Sequence, residues 1–265
     1  MKQEEIRGRI CAPELKESLP IISFDSIGST NDAAKEYARN NPECHRALIV
    51  ADGQTRGRGR LGRSFISKTG AGIYMSLLLC RPDLSPADAP LVTAYAATVV
   101  SRAIFELTGL DTQIKWVNDI LFEGKKLAGI LTEGALLPSG GYEYCIVGIG
   151  INTGGRELPQ EISDIATTLE LSGISVEREA LTARITEIFF EEIDTVGTIP
   201  VADEYRRRSC LIGKRVTVNK KSSSYPAAVL GITDRCELIL ALEGGKTETL
   251  ITGEVSVLLE RCNTQ

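Results

Sequence analysis

Histidine, tryptophan and methionine are scarce in this sequence. Among 265 residues there is one histidine, His45, one tryptophan and two methionines. His45 stands in a polar connector after Pro42, where a solvated side chain is expected, and this excludes most Ser-His, Cys-His and His-metal chemistries. A site in this chain therefore has to work through lysine, arginine, carboxylate and backbone amide groups.

Paired cysteines and long apolar runs are also missing. The seven cysteines are scattered and none forms a CxxC pair, so neither a zinc site nor a disulfide framework is indicated. No apolar run approaches the roughly 20 residues that span a bilayer, and the first residues lack the hydrophobic segment of a secretion signal. We expect a cytoplasmic protein that does not associate with membranes.

Acidic residues outnumber basic ones in the chain, but one loop is rich in arginine. The formal net charge is −5, yet Thr55 to Arg63 contains four arginines and three glycines. Arginine matches carboxylates and phosphates, and glycine lets the backbone approach a ligand closely. We predict that this arginine-glycine loop binds an anionic small molecule and stays mobile until a ligand neutralises it.

A nucleic-acid-binding arginine-glycine segment is the alternative interpretation of this loop. Such segments run in long low-complexity tracts, whereas this loop is short and lies between two predicted strands. The negative net charge also argues against a general nucleic-acid surface. We therefore expect no nucleic-acid partner.

Hydropathy patterning predicts a large α/β part and a smaller β part. The predicted strands of the large part are 21–24, 47–51, 72–80, 113–116, 120–122, 126–132 and 142–152. Helices are predicted from Ser29 to about residue 40, and at 86–108, 166–171, 177–195 and 201–208, with the first twenty residues as a short arm or helix. Five short strands at 215–219, 227–233, 237–242, 247–251 and 254–259 predict a small barrel.

Four motifs follow one another along the chain. They are Ser29-Thr30-Asn31-Asp32, then Gly57-Arg58-Gly59-Arg60-Leu61-Gly62-Arg63, then Lys115-Trp116-Val117-Asn118-Asp119 with Lys126-Leu127-Ala128-Gly129-Ile130-Leu131, and Gly148-Ile149-Gly150-Ile151-Asn152. In order, type and spacing this set closely resembles the biotin protein ligases, over residues 20 to 260. The resemblance implies an α/β (α+β) fold with three parts: an arm at 1–20, a class II aminoacyl-tRNA synthetase-like mixed sheet with helices at 21–208, and an SH3-like barrel at 209–265.

The resemblance also implies a two-step reaction. Biotin and ATP, with Mg²⁺, give biotinoyl-5'-AMP and pyrophosphate, and the acyl group then passes to one lysine of a biotin carboxyl carrier protein. The residue chemistry fits, because joining a carboxylate to an α-phosphate needs a fixed set of cations rather than a histidine base. Closure of a glycine-rich loop would protect the hydrolysable intermediate.

By resemblance, the biotin site comprises Ser29, Thr30, Asn31, Gln54, Gly57, Arg58, Arg60, Lys126 and Gly129. Within it Ser29, Thr30 and Gln54 match positions that hold the ureido head, which needs both donors and acceptors. Without the resemblance, Ser29 would be interpreted as a helix cap and Gln54 as a surface residue. Both roles of Ser29 can hold at once.

By the same resemblance, the ATP site comprises Arg58, Arg60, Arg63, Phe65, Asn118, Lys126, Gly150 and Asn152. The catalytic residues are Arg58, Lys126 and Asp119. The family lysine matched by Lys126 bridges the biotin carboxylate and the α-phosphate. The carboxylate of Asp119 is expected to bind Mg²⁺ or to take a proton from the incoming amine, and the choice stays open.

Two positions depart from the family pattern. Val117 replaces the usual proline of the motif Lys115 to Asp119. This change loosens the backbone before Asn118 slightly but removes no reactive group. Phe65 stands where the family often has a tryptophan that covers the adenine. A phenyl ring offers less stacking area than an indole, so ATP affinity is the property most exposed to this change.

Three further points concern the substrate, repressor activity and the assembly of the protein. A lipoate or octanoate ligase of the same superfamily is the nearest alternative, although it lacks an arginine-glycine loop of this type. No segment could house an N-terminal winged helix, so we expect a ligase without repressor activity. The oligomeric state, including homodimer formation, and the carrier that is served are not set by the sequence.

Overall fold

A mixed seven-stranded sheet forms the larger part of the protein. The computed structural model describes residues 1–80, 85–155, 158–195, 201–220 and 223–257. The strand order is β1-β2-β3-β7-β6-β5-β4, in which β1 and β2 are parallel and all other neighbours are antiparallel. The strands are β1 (Ile21–Phe24), β2 (Arg46–Ala51), β3 (Gly72–Leu79), β4 (Gln113–Lys115), β5 (Asp119–Phe122), β6 (Lys125–Leu136) and β7 (Tyr142–Asn152).

Alternating apolar residues give the sheet two buried faces. In β2, Leu48 and Val50 belong to the main core, whereas Ile49 packs with Ala34 and Ala38 of a helix on the other face. The helices are α1 (Gln3–Arg9), α2 (Pro13–Ser18), α3 (Thr30–Asn40), α4 (Ala89–Thr108), α5 (Arg178–Glu192) and α6 (Val201–Arg208), with short 3₁₀ turns at Arg60–Gly62, Pro86–Asp88 and Ile193–Thr195. Helix α3 therefore packs on the face of the sheet opposite the main core.

The first twenty residues form two short helices that pack against the body of the protein. Ile6 and Leu15 are buried in the main core. The backbone N–H of Ala12 donates to Glu187 Oε1 of α5 at 2.9 Å. Apolar burial and this hydrogen bond hold both helices in place, which the weak amphipathic pattern alone did not indicate.

The long helix α4 ends where the sequence predicts. Gly109 follows it in a left-handed conformation with φ of 72°, which favours glycine. The segment Pro86–Thr108 is long and apolar enough to cross a membrane by length and composition, but 72% of its apolar window is buried inside the protein. It packs against α5, α6 and β6, as the core helix of a soluble protein does.

The predicted helix at 166–171 is wrong. Its backbone bonds to the sheet instead: Thr167 N–H donates to Lys126 C=O at 2.9 Å, and Leu169 N–H donates to Asn152 C=O at 3.0 Å. These bonds satisfy the amides that a helix would have paired internally, and the segment lies along the strand edges as turns. Elsewhere the strands and helices lie within a few residues of the predicted ranges, except that β6 runs four residues beyond the predicted end of its strand.

A five-stranded antiparallel sheet forms the C-terminal part, in the order β11-β10-β9-β8-β12. Its strands are β8 (Arg215–Asn219), β9 (Ser224–Ile232), β10 (Leu238–Ala241), β11 (Thr247–Leu250) and β12 (Glu254–Val257). The last two residues of the predicted strand 254–259 lie outside the described residues. The buried Trp116 Nε1–H donates to Cys236 C=O at 2.8 Å, so Trp116 is anchored on the turn between β9 and β10 of the C-terminal part.

Candidate active site

The site lies on one face of the large sheet, just beyond the N-terminus of α3. Three neighbouring strands bring Ser76 of β3, Gly148 of β7 and Leu131 of β6 side by side. Asn31 of α3 lies over them and is buried. A Cβ atom on Gly148 would come within 2.3 Å of Asn31 Oδ1, so only glycine leaves room for this side chain.

A hydrogen-bonded row of small polar side chains forms the inner end of the site. The backbone N–H of Thr30 donates to Gln54 Oε1 at 2.8 Å, and Gln54 Nε2 donates to Ser67 Oγ at 3.0 Å. Ser76 Oγ lies 2.8 Å from Thr30 Oγ1 and 2.6 Å from Asn31 Oδ1. Ser29 occupies the N-cap position of α3, but its side chain makes no capping hydrogen bond and lines the pocket instead.

Two carboxylates contact Arg58 of the loop, those of Asp32 and Glu133. Arg58 donates to both oxygens of Asp32, at 2.7 and 3.0 Å, and its Nη2 lies 3.2 Å from Glu133 Oε2. The hydrogen bonds that Arg58 donates to Asp32 are the largest cause of a raised pKa for its guanidinium. The sequence analysis considered the arginines of the loop without these carboxylate partners, which offset part of the loop's charge.

The next arginines of the loop reach the C-terminal sheet. Arg60 Nη1 donates to Asn118 Oδ1 at 3.1 Å, and its Nη2 donates to Gly253 C=O at 3.2 Å. Arg63 donates to Glu254 at 2.8 Å. The arginine-glycine loop therefore bridges the two sheets and closes one side of the site.

A lysine and an aspartate form a close ion pair at the centre. Lys126 Nζ lies 2.6 Å from Asp119 Oδ1. That oxygen is buried and has no hydrogen-bond partner among the described residues, so the pair is a charge contact without good hydrogen-bond geometry. A Cβ on Gly129 would lie 3.1 Å from Lys126 Nζ. The missing side chain at this glycine therefore leaves space for the ammonium group.

Two cavities meet at this ion pair. The inner pocket holds about 50 Å³, space for a few water molecules, and the outer cleft holds about 580 Å³. Phe65 and Lys126 line both cavities. The Phe65 ring lies against Gly150, where a Cβ would approach it to 2.7 Å, and it meets Tyr74 edge-on with ring centroids 6.4 Å apart.

Most of the residues that the sequence analysis selected lie together here. The inner pocket is lined by Ser29, Thr30, Asn31, Gln54, Arg58, Arg60, Phe65, Asn118, Lys126, Gly129 and Gly150. Arg63, Asp119 and Asn152 line the outer cleft. Gly57 lines neither cavity. It lies against Phe65 C=O and Ser67 Oγ, each 2.5 Å from where its Cβ would be, so its visible role is close packing of the loop.

Sequence reasoning missed Ser76 and Glu133. Both carry a usable signal, because side chains two apart on a strand share a face. Glu133 follows Gly129 and Leu131 at that spacing, and Ser76 is the polar residue of an otherwise apolar strand.

No group of three or more histidine, cysteine, aspartate or glutamate side chains that could hold a metal occurs within the described ranges. The site does hold one buried carboxylate oxygen without a hydrogen-bond partner, Asp119 Oδ1. Mg²⁺ is commonly bound by one or two carboxylates together with substrate phosphates. The residues present fit that arrangement rather than an all-protein metal cage.

Comparisons with known proteins agree with this architecture. Residues 23–152 match the model of the biotin/lipoate A/B protein ligase family, and residues 211–258 match the biotin protein ligase C-terminal domain. The bifunctional ligase/repressor BirA of Bacillus spizizenii is 38% identical over 232 residues, which cover 85% of this chain and 70% of the relative. The biotin–[acetyl-CoA-carboxylase] ligase of Mycobacterium tuberculosis is 29% identical, over 86% of this chain and 85% of its own length.

A solved structure shares the fold as a whole. The biotin protein ligase from Aquifex aeolicus in complex with biotin and ATP superposes with a TM-score of 0.73 and 28% identity, over 90% of this chain and 98% of that one. The predicted fold class, a mixed sheet with helices followed by a small β-domain, is confirmed. The chain belongs to the biotin/lipoate A/B protein ligase family and, within it, to the biotin protein ligases.

Proposed function

We propose that this chain is an ATP-dependent ligase that activates biotin as biotinoyl-5'-AMP and transfers it to a lysine of a biotin carboxyl carrier protein. One observation carries the proposal: Lys126 stands where a polar inner pocket opens into a larger cleft, with Arg58 and Arg60 lining the same inner pocket. A carboxylate that points outward from the pocket would meet the α-phosphate of a nucleotide in the cleft at these cations.

The inner pocket suits the head of biotin. Its inner end is lined by side chains that both donate and accept hydrogen bonds, Thr30 and Gln54 among them. Other parts of its wall are apolar or glycine, including Ile149, Gly148 and Gly150. A polar head on an apolar body matches a ureido ring that carries a thioether ring and an aliphatic chain.

The outer cleft suits ATP. Lys68 and Lys115 line it and make no ion pair within the described part of the chain, so their charge is available to phosphates. Tyr74, Leu158 and Ile162 add an apolar wall for a base. Burial raises the pKa of Tyr74 to about 12, so its hydroxyl stays protonated at neutral pH and adds no negative charge opposite the phosphates.

The first step joins a biotin carboxylate oxygen to the α-phosphorus, and pyrophosphate leaves. In the second step the amine of the carrier lysine attacks the acyl carbon, AMP leaves and the amine loses a proton. Arg58 and Lys126 would offset the charge that builds up between the two anions in the first step. The carboxylate of Asp119 would accept the proton that the amine loses, or would hold Mg²⁺, which when bound would neutralise phosphate charge.

Three further statements belong to this proposal. The partner is a biotin carboxyl carrier protein, and the chain works in the cytoplasm. It is expected to bind no operator DNA, because the formal net charge is −5 and Arg58 and Arg63 are paired with carboxylates at the site.

Pyrophosphate release distinguishes the proposal from lipoate or octanoate ligation. Hydrogen-bonding groups at the end of the inner pocket would be left unpaired by an aliphatic or dithiolane tail, which disfavours those acids. The purified chain is incubated with ATP, Mg²⁺ and each of biotin, lipoate and octanoate. Release with biotin alone is expected, whereas release with octanoate or lipoate and none with biotin would reassign the enzyme.

A further inference from the structure

We propose that Tyr205 is a positioning residue for the reaction. Its hydroxyl holds the peptide group that precedes Asn118, and it thereby places Asn118 and Asp119 for the joining of biotin to ATP. Tyr205 belongs to none of the four motifs and lines neither of the two cavities. The inference rests on the proposed function, because it takes these two polar residues to act at the nucleotide.

A three-residue turn, 116–118, connects β4 to β5 at the edge of the site. β4 ends at Lys115 and β5 begins at Asp119, and these two residues lie directly opposite each other in the antiparallel pair. Asn118 lines the inner pocket and Asp119 lines the outer cleft. The path of this short turn therefore decides where both side chains meet the two cavities.

The first and last residues of the turn are each held by another element. Trp116 Nε1–H donates to Cys236 C=O at 2.8 Å, and Asn118 Nδ2 donates to Ile130 C=O of β6 at 2.8 Å. The backbone N–H of Ile130 also donates to Asn118 C=O at 3.0 Å. These bonds leave the carbonyl of the middle residue, Val117, without a partner from either element.

Tyr205 of α6 supplies that partner. The Tyr205 hydroxyl donates to Val117 C=O at 3.0 Å, and both residues are buried. Val117 C=O has no other hydrogen-bond donor within the described part of the chain, and a buried carbonyl without any donor is costly. Burial holds the pKa of Tyr205 well above its ordinary value, so the hydroxyl keeps its proton and donates at neutral pH.

The position of Tyr205 is itself fixed by the packing of its helix. The side chain is completely buried, and α6 packs against α4. Directly after α6 the chain runs alongside β4, where the backbone N–H of Cys210 donates to Ile114 C=O at 3.0 Å. The hydroxyl therefore reaches the turn from a helix that is tied to the same strand from which the turn starts.

The hydrogen bond to Val117 acts on the site through one peptide group. The Val117 carbonyl and the Asn118 N–H lie in the same plane, so holding the carbonyl sets the direction in which the chain enters Asn118. Asn118 Oδ1 accepts from Arg60 Nη1 at 3.1 Å, and Asp119 Oδ1 lies 2.6 Å from Lys126 Nζ. Valine does not restrict φ as proline would, so the restraint on this peptide comes from the hydrogen bond. Loss of the hydroxyl should loosen both contacts at once.

Tyr205→Phe tests the inference, because it removes the hydroxyl and keeps the ring that packs α6. We expect the single-turnover rate of pyrophosphate release, at saturating biotin and ATP, to fall about tenfold, since small displacements of groups at a reacting centre have effects of at least this order. The Kd for biotin without ATP should stay within about twofold of the wild type, because Thr30 and Gln54 at the inner end of the pocket lie on other elements.

Tyr95→Phe is the matched control. Tyr95 is also buried, and its hydroxyl donates to Ile188 C=O at 3.0 Å in the helical core, away from both cavities. Each variant removes one buried hydroxyl, so both should unfold at a lower temperature than the wild type. Only Tyr205→Phe should slow pyrophosphate release, when both variants are assayed at a temperature at which they are folded.

Coupling to Asn118 is the second test. Tyr205→Phe should slow the reaction less in an Asn118→Ala background than in the wild type, because both changes act through the same turn. Equal rates for Tyr205→Phe and Tyr95→Phe, a weakened biotin Kd with an unchanged rate, or fully additive losses with Asn118→Ala would each overturn the inference. A wild-type chain that releases no pyrophosphate with biotin would instead overturn the proposed function, so the two failures are distinguishable.

Discussion

Lys126 Nζ lies 2.6 Å from Asp119 Oδ1, at the boundary between the inner pocket and the outer cleft. Glycine at position 129 leaves the space that the ammonium occupies. The pair places a positive charge where an acid in one cavity would meet a phosphate in the other. The Asp119 carboxylate compensates the charge of the Lys126 ammonium in this partly buried site.

Lys126→Ala should lower kcat/KM for pyrophosphate release by about 100-fold to 1000-fold, the usual cost of losing one preorganised cationic or hydrogen-bonding group at a developing charge. Lys125→Ala is its matched control, because Lys125 is exposed and its ammonium donates, among the residues that the structure describes, only to Ser163 C=O. Steady-state kinetics of both variants check the prediction. Equal activities of Lys126→Ala and Lys125→Ala would show that Lys126 has no specific role in the reaction.

Arg58→Ala should cause a loss of similar size, and Arg58→Lys should recover little of it. The guanidinium makes two parallel hydrogen bonds to Asp32, a geometry that an ammonium cannot reproduce. Arg56→Ala is the control from the same loop, because Arg56 is exposed and makes no ion pair with any described residue. Full activity of Arg58→Lys would show that charge alone suffices there.

Gly148→Ala should close the inner pocket. The added Cβ would lie 2.3 Å from Asn31 Oδ1, and Asn31 cannot move freely because Ser76 and Glu133 hold it. We expect a higher KM for biotin and a loss of about 1–3 kcal/mol in the free energy of unfolding, as for an overpacked core. Gly8→Ala, which meets nothing within 4 Å, is the control for chemical denaturation and kinetics. Biotin binding unaffected by Gly148→Ala would contradict the placement of the ligand.

Phe65→Ala should weaken ATP binding more than biotin binding. Its ring packs on Gly150 and edge-on to Tyr74 at the mouth of the outer cleft. Losing one aromatic stacking partner should raise the KM for ATP about threefold to tenfold. Phe105→Ala, at an exposed ring on α4, controls for the loss of an aromatic residue. A change confined to the KM for biotin would show that Phe65 contributes to biotin binding and not to ATP binding.

Acid should destabilise the wild type more than Glu133→Gln. Donors lower the folded-state pKa of Glu133 below its ordinary value, so the stability it contributes is present above about pH 4.3, the unfolded pKa. That contribution disappears as the pH falls through the lower folded value. The difference in unfolding temperature between the wild type and Glu133→Gln should therefore be smaller at pH 3.5 than at pH 6. A gap that is constant with pH would show that Glu133 titrates normally.

The sequence predicted the strands, and which motif residues lie close together, better than the packing around them. The motifs that contain Asn31, Arg58 and Lys126 carry the chemistry in their own residue types, so their pattern could be read directly. Glu133 and Asp32 were not assigned as partners of Arg58, because Glu133 lies 75 residues and Asp32 26 residues away along the chain. The helix predicted at 166–171 failed for a related reason, since its amides bond to distant strands.

Transfer of labelled biotin to a purified biotin carboxyl carrier domain tests the central claim most directly. The account predicts that the chain labels one carrier lysine only when ATP and Mg²⁺ are present, and that Lys126→Ala loses this labelling while Lys125→Ala keeps it. Labelling that does not need ATP, or no labelling by an intact wild-type chain, would contradict the account.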